Sequence, residues 1–372
     1  DGSNFWNQAL DAGATAVIIS NIQISKEEKE KYKDKTIIQV EDTFEALYEI
    51  AKYKRSLYNI PVIAVTGSVG KTTTVHLLSR MLSNSYNRDI KPVGNVGNAF
   101  FNDVNEKELV VEASSFMLHQ TYSVKPNVYV ITNLFPHHLD YHLTFDNYYL
   151  DKTKLIQQIK PGGLLVYPYD DQRLRMDFEK VNHINVSSFS LTNQEATCYV
   201  KGGWIMLHQI PFIEVSVLPR NENHNLLNMM ASILVASYLN IDKRDIVDAL
   251  KAFQGVKYRF ETIYHQSGVT IINDSKSTTP VATKSALESV HILYPNVKKI
   301  LILGGILKNE SFSSIRISVI FDFSTFFHCT KSKHVRYPDF MYVPGLFHNN
   351  DMPAIICHLP GKQIVGNLYL IL

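Results

Sequence analysis

The chain has 372 residues, of which 45% are hydrophobic and 19% charged, and a net charge of +2; this is ordinary globular composition, long enough for two or three domains. The near-neutral balance gives no footing to a nucleic-acid or membrane-surface partner, and three scattered cysteines, Cys198, Cys329 and Cys357, exclude a disulfide framework and suit a reducing compartment. No apolar run approaches a membrane span and no signal peptide is visible, so a cytoplasmic protein without membrane insertion is expected; the chain opens at Asp1, and its true beginning is expected to be missing.

In chain order, residues 13–19 and 36–40 are strand-like, split by a charge run from Ser25 to Lys35 that reads as a solvated face. Asp42 can cap a helix from Thr43 to about Tyr58, with Glu45 as capping-box partner. The β-branched run Pro61 to Val65 reads as a buried strand, and it breaks into Thr66-Gly67-Ser68-Val69-Gly70-Lys71-Thr72-Thr73-Thr74. Further strands are expected at 108–112, 128–132 and 164–168, and helices at 145–160, 223–239 and 242–253. Gln254-Gly255 marks a linker, after which a strand at 269–273, a helix at 281–290 and a strand at 299–303 suggest a second nucleotide fold. The alternation argues for a mostly parallel sheet covered on both faces.

The glycine-rich stretch is the most informative. Strand, Gly-x-x-Gly-Lys-Thr, then helix describes a phosphate-binding loop, in which backbone N–H groups and a helix N-terminus face phosphate oxygens. Lys71 is expected to reach the β/γ-phosphates and Thr72 to ligate Mg²⁺. The spacing departs from the common Gly-x4-Gly-Lys-Ser/Thr form, because Val65 stands where the first glycine would be. A lone lysine after a glycine turn is the bland alternative; the flanking strand and helix favour ATP binding.

Polar residues at strand ends narrow the chemistry, since doubly wound sheets place their ligands there. Glu112 leaves a buried strand, where a carboxylate needs a partner or a cation. Asn133 and His138 follow the strand ending at Thr132. His137, His138 and His142 invite a zinc reading, but adjacent histidines diverge and no third ligand is evident nearby. The pairs His328-Cys329 and Cys357-His358 lack metal-ligand spacing.

Taken in order, Gly-x-x-Gly-Lys-Thr-Thr, Glu112-x-Ser114-Ser115, Asn133 with His138-Leu139-Asp140, Asn147-Tyr148 with Lys152, His224-Asn225-x-x-Asn228, Arg259-x-Glu261 and Asn273-Asp274-Ser275-Lys276 resemble the Mur ligase family over residues 1–312. The resemblance implies a three-domain α/β architecture: a partial N-terminal UDP-substrate domain (1–58), a central ATP-binding domain with a mostly parallel sheet and helices on both faces (59–254), and a shortened Rossmann-like C-terminal domain (255–372). It implies cytoplasmic, monomeric, ATP-dependent amide-bond ligation in peptidoglycan precursor synthesis, through an acyl phosphate, on a UDP-N-acetylmuramoyl substrate and an amino acid.

By the same resemblance, Gly67, Ser68, Val69, Gly70, Lys71, Thr72 and Thr73 hold the phosphates. Thr72, Glu112, His138 and a carbamylated Lys152 hold two Mg²⁺ ions. Asn228 meets the adenine, Asp274 the ribose, and Arg259 and Lys276 close over the phosphates. Asn95, Ser114, Ser115, Lys276 and Lys308 face the muramoyl substrate. Lys154 serves as the exposed counterpart of Lys152, and a solvated helix lysine is the bland reading of Lys152 itself; for Asn228 it is a helix-surface amide, and for Lys276 a surface lysine.

Gly94-Asn95-Val96-Gly97 and Ile271 to Lys276 resemble the D-glutamate-adding members, which makes that activity the first expectation. Other segments resemble the members adding diaminopimelate or lysine, or D-Ala-D-Ala, so those remain alternatives. A folylpolyglutamate synthetase-like enzyme is a further alternative. His137, Met117, Asn223, Leu307 and Asn309 depart from the family pattern. From Ser313 onward no family segment is recognisable, glutamate is absent, and Phe321, Phe323, Phe326 and Phe327 cluster. That tail leaves open an inactive nucleotide-binding relative.

Overall fold

The computed structural model describes residues 2–96, 108–121, 124–178, 181–266 and 269–277, several positions between 283 and 304, and the strand backbones 323–329 and 367–371. The chain falls into two compact units, Asp1–Ile60 and Pro61–Leu372.

In the first unit a 3₁₀ turn (Gly2–Phe5) leads into α1 (Trp6–Asp11), β1 (Ala16–Ser20), α2 (Lys26–Lys31), β2 (Thr36–Val40) and α3 (Thr43–Ser56). The two strands pair in parallel, Ala16 opposite Thr36. Their small core is Trp6, Leu10, Ile19 and Tyr32, with Trp6 edge-on to Tyr32 at 5.3 Å. The charge run forms α2, which buries nothing. Asp42 caps α3 by accepting from Phe44 N and Glu45 N. The reciprocal capping box forms one helix earlier, between Ser25 and Glu28, and not at Asp42–Glu45.

The second unit opens with β3 (Val62–Thr66), α4 (Lys71–Tyr86), β4 (Val93–Gly94), β5 (Leu109–Glu112), α5 (Ser115–His119), β6 (Val128–Ile131), α6 (Leu139–His142) and α7 (Phe145–Thr153). It continues through β7 (Leu164–Pro168), α8 (Gln172–Phe178), β8 (Asn185–Ser190), β9 (Cys198–Lys201), β10 (Trp204–Leu207), β11 (Ile210–Glu214), α9 (Asn223–Tyr238) and α10 (Lys243–Lys251). Nine strands form one sheet in the order β11-β10-β9-β8-β7-β6-β3-β5-β4. It is parallel from β4 through β9 and turns antiparallel at β9–β10–β11.

Alternation along β6 shows why both faces are covered. Val128 and Val130 enter the core that α4, α9 and α10 build, while Tyr129 between them points the other way and donates to the Lys152 carbonyl of α7. Helix α9 is buried on most of its surface, with an unbroken buried run from Asn228 to Ala236 that is apolar except for Asn228 and Ser232.

Two local expectations change. The helix expected to reach residue 160 ends as α-helix at Thr153 and tightens to a 3₁₀ turn, Lys154–Gln158, before Pro161-Gly162-Gly163. The strands β8 to β11 were not expected: β9 and β10 have four residues each and β8 is polar along most of its length, although Gly202 and Gly203, both at positive φ in the β9–β10 turn, are a hairpin signal.

A second sheet joins β12 (Glu261–Gln266), β13 (Val269–Asn273), β14 (Lys299–Gly304), β15 (Phe323–Cys329) and β16 (Asn367–Ile371) in the order β12-β13-β16-β14-β15. The tail therefore supplies two strands where the sequence showed no alternation; Phe323, Phe326 and Phe327 lie in one of them, consistent with the β preference of aromatics. Most of the expected helix at 281–290 lies outside the described residues. No helix among the described residues is long and apolar enough to cross a membrane.

Candidate nucleotide site

The glycine-rich loop leaves the fully buried strand β3 and turns into α4. Gly67 has φ +144° and Gly70 φ +87°, and a Cβ at either would stand within 2.0 Å of Thr132 Oγ1 or 2.3 Å of Asn228 Oδ1. Only glycine fits there. The loop is shaped by side chains from the β6 end. Asn133 accepts from Val69 N at 2.9 Å and donates to Val69 O at 3.0 Å, and its carbonyl accepts from Ser68 N. Ser68 Oγ donates to Phe135 O and lies 2.8 Å from the Tyr148 hydroxyl. The N–H groups of Ser68 and Val69 thus serve the loop's own shape, while the first turn of α4, with Thr72 and Thr73 buried, offers its unpaired N–H groups as helix N-termini do.

Two of the expected residues, Glu112 and Arg259, meet at the hydroxyl of a third, Thr72. Thr72 Oγ1 donates to Glu112 Oε2 at 2.8 Å and accepts from Arg259 Nη2 at 2.9 Å. The other carboxylate oxygen of Glu112 accepts from Asn95 Nδ2 at 2.8 Å, so the amide expected at the muramoyl substrate is engaged with Glu112. Lys71 Nζ donates to Gly67 O and Ser68 O. Burial lowers its pKa to about 8, with Glu112 opposing and Arg259 assisting. Burial likewise lowers Arg259. A hydroxyl and a carboxylate 2.8 Å apart are hard oxygen donors that fit Mg²⁺.

Lys152 is not a solvated helix lysine. It is 1% exposed, and its Nζ donates to Thr66 Oγ1 and Gly67 O, both at 2.9 Å, beneath the Tyr148 ring. Burial, then the nearby Lys71, hold it well below the ordinary lysine range. Lys154, expected to be its exposed counterpart, is also partly buried and donates to His119 O at 2.8 Å.

A cavity of about 550 Å³ opens beside the loop, lined by Gly70, Thr73, Asn133, Asn228, Arg259 and Asp274 among others. That volume suits a nucleotide-sized ligand. Asn228 is buried on α9, not a surface amide, and accepts from Thr74 Oγ1 at 3.4 Å. Asp274 accepts from Phe260 N at 3.0 Å, and burial raises its pKa to about 6. Lys276 is exposed at the end of β13, with its N–H on Tyr258 O. Arg220 was not legible as a site residue. It bonds Glu222, the Gln254 carbonyl and the Phe260 carbonyl, pinning the segment that delivers Arg259; those partners, 34 and 40 residues away, leave no local sequence signal.

His138 sits at positive φ ahead of α6, stacked on His137 and edge-on to Phe116. Ser114 caps α5 by accepting from Met117 N, and Ser115 is buried in its first turn. Lys308 lies outside the described residues. His142, with the Tyr141 ring edge-on beside it, meets His119 and Asp151, an assembly the spacing did not show.

A family model described as the Mur ligase middle domain matches residues 65–236. The UDP-N-acetylmuramoylalanine--D-glutamate ligase of Streptococcus suis (strain 98HAH33) is 31% identical over 261 residues, covering 69% of this chain and 57% of that protein. The ligase of the same name from Oenococcus oeni (strain ATCC BAA-331 / PSU-1) is 36% identical over 232 residues, covering 61% of this chain and 52% of that protein. The chain thus spans little more than half the length of these curated relatives. Among solved structures, MurF ligase from Thermotoga maritima in complex with ADP has a TM-score of 0.64 at 22% identity, over 85% of this chain and 74% of that one. UDP-N-acetylmuramate-alanine ligase MurC from the same organism gives 0.53 at 20%, over 78% and 66%. At such identities the likeness concerns the fold: an α/β Mur ligase architecture around a mostly parallel sheet.

Proposed function

We propose that this chain, which belongs to the Mur ligase family, is an ATP-dependent amide-bond ligase that adds D-glutamate to UDP-N-acetylmuramoyl-L-alanine. The observation that carries this reading is the Glu112–Thr72–Arg259 hydrogen-bond chain at the first turn of α4, next to a nucleotide-sized cavity that Arg259 lines together with Gly70, Thr73, Asn228 and Asp274. The D-glutamate assignment draws on the names of the relatives.

Phosphoryl transfer to the substrate carboxylate asks for positioning and charge neutralisation, and little else from the protein. The first turn of α4 and Lys71 hold the phosphates, Asn228 and Asp274 line the space for the nucleoside, and Arg259 brings a second cation to the developing charge. Thr72 and Glu112 would hold one Mg²⁺, with His138 and a carbamylated Lys152 at a second, and ions bound there would neutralise phosphate charge. Burial and the nearby Lys71 favour the neutral amine of Lys152, the form that would attack CO₂, forming the C–N bond of a carbamate and releasing one proton. Carbamylation of Lys152 fits that chemistry. The acyl phosphate then yields to the incoming amine, with phosphate as leaving group. Asn95, Ser114, Ser115, Lys276 and Lys308 belong to the muramoyl side, and the enzyme acts as a cytoplasmic monomer in three domains, 1–58, 59–254 and 255–372.

Phosphate release from Mg²⁺-ATP with UDP-N-acetylmuramoyl-L-alanine, with and without D-glutamate and with Lys71→Ala as blank, tests the reading. Release that needs both co-substrates supports it. Release with another amino acid instead moves the chain to another ligase of the family, and ATP binding without release makes it a non-catalytic relative.

A further inference from the structure

We propose that His119, His142 and Asp151 form a binding site for a zinc-class divalent ion, separate from the phosphate-loop centre. Three short helices bring them together: His119 ends α5, His142 ends α6 and Asp151 lies in α7. Nδ1 of each imidazole is 2.9 Å from the same carboxylate oxygen, Asp151 Oδ2, and all three ligand atoms lie within 4.8 Å of one another. Tetrahedral Zn²⁺ with bonds of about 2.0–2.2 Å sets its ligands about 3.3 Å apart, so each Nδ1 must draw back from Asp151 Oδ2 by a few tenths of an ångström while the widest ligand separation closes by up to about 1.5 Å, a movement that rotation of the exposed His119 ring can supply. The metal takes the Nδ1 lone pair of each ring, so in a neutral imidazole the ring proton sits on Nε2 once the ion is bound.

The donor set and its surroundings define the class of ion. Two imidazole nitrogens and one carboxylate suit zinc, nickel or cobalt, whereas Mg²⁺ and Ca²⁺ ask for more oxygens. The Lys154 ammonium stands 3.9 Å from Asp151 Oδ1 and opposes ions held by charge alone. Tyr141 and Phe116 wall the site, with ring centres 4.9 and 5.9 Å from His142. His142 is buried and His119 exposed, so three protein ligands leave a fourth position on the solvent side. The ion cross-links α5, α6 and α7, the last of which carries Lys152.

Metal-stripped full chain titrated with Zn²⁺ alone by calorimetry, and with Co²⁺ by visible absorption, tests this. The expected result is one tight equivalent with a tetrahedral Co²⁺ spectrum and a zinc-dependent rise in melting temperature. Binding weakens by at least about 10–100-fold in His119→Ala and in Asp151→Asn, and survives in Glu112→Gln. The exposed position of His119 makes loss of fold in its variant the lesser risk, and Asp151→Asn gives an independent reading. No zinc bound by the folded wild type at micromolar concentration overturns the site, and so does zinc binding that Glu112→Gln abolishes and His119→Ala leaves intact.

Discussion

Lys71 is costly to the resting protein, and Lys71→Met makes that cost measurable. Its ammonium is taken out of water onto two loop carbonyls, and its pKa falls from 10.5 to about 8. At about 1.4 kcal/mol per pH unit, the difference amounts to about 3 kcal/mol of destabilisation wherever the lysine is charged in both states. The folded chain gives up this proton near pH 8 and the unfolded chain near 10.5, so the unfolded state binds more protons between them. Stability therefore rises with pH across that window, and the full penalty stands below it. Methionine removes the charge and forfeits two hydrogen bonds of about 1 kcal/mol each, while Gly67 O keeps its bond from Lys152. The variant is expected to be about 1 kcal/mol more stable than the wild type at pH 7, and the advantage to reverse toward pH 10. Relief of Lys152, which Lys71 also depresses, acts in the same direction. Urea unfolding of both proteins without nucleotide at pH 7, 8, 9 and 10 reads this directly. Parallel stability profiles would refute the argument, since they would mean that Lys71 is not desolvated.

Other tests touch the same site. Gly70→Ala, whose Cβ would meet Asn228 at positive φ, is expected to cost about 1–3 kcal/mol and to abolish nucleotide binding, checked by unfolding and calorimetry. Arg259→Lys keeps charge but loses the Nη2 bond to Thr72, and kcat/KM is expected to fall about 100-fold with the melting temperature nearly unchanged. Asp274 is held at about 6 against an ordinary 3.8, so the folded state binds the extra proton between those values. Stability from this group is present below pH 4 and lost as pH rises through 6; Asp274→Asn is expected to flatten the profile there by up to about 3 kcal/mol, and an unchanged slope between pH 4 and 6 counts against a desolvated carboxylate.

The middle of the large sheet, β3, β5, β6 and β7, was readable because these strands are buried on both faces and read as continuous apolar runs. The antiparallel half was not: β9 and β10 have four residues each, and their faces alternate too briefly to register. At the site, Lys71, Thr72 and Glu112 were legible because strand ends expose polar residues in a fixed relation to the loop. Lys152 was singled out by resemblance alone, and its burial was not legible, since nothing in the local sequence distinguishes it from Lys154. Asn133 was visible as a strand-end amide, but its grip on both backbone groups of Val69 depends on a turn conformation that residue identity does not encode. Arg220 and the His119–Asp151–His142 assembly rest on partners many residues apart, joined only once the helices pack.

The antiparallel end of the large sheet has a colloidal consequence. Its outermost strand, β11, carries Pro211, and the pairing with β10 slips register between Ile205 and Met206. An edge that lacks one N–H donor and twists at a bulge is a poor template for a second strand. Ile210 there is 68% exposed, so hydrophobicity alone would invite edge-to-edge stacking. The proline and the bulge oppose it, and replacing Pro211 by a β-branched residue is the change that would turn this edge into a seed for chain-to-chain growth.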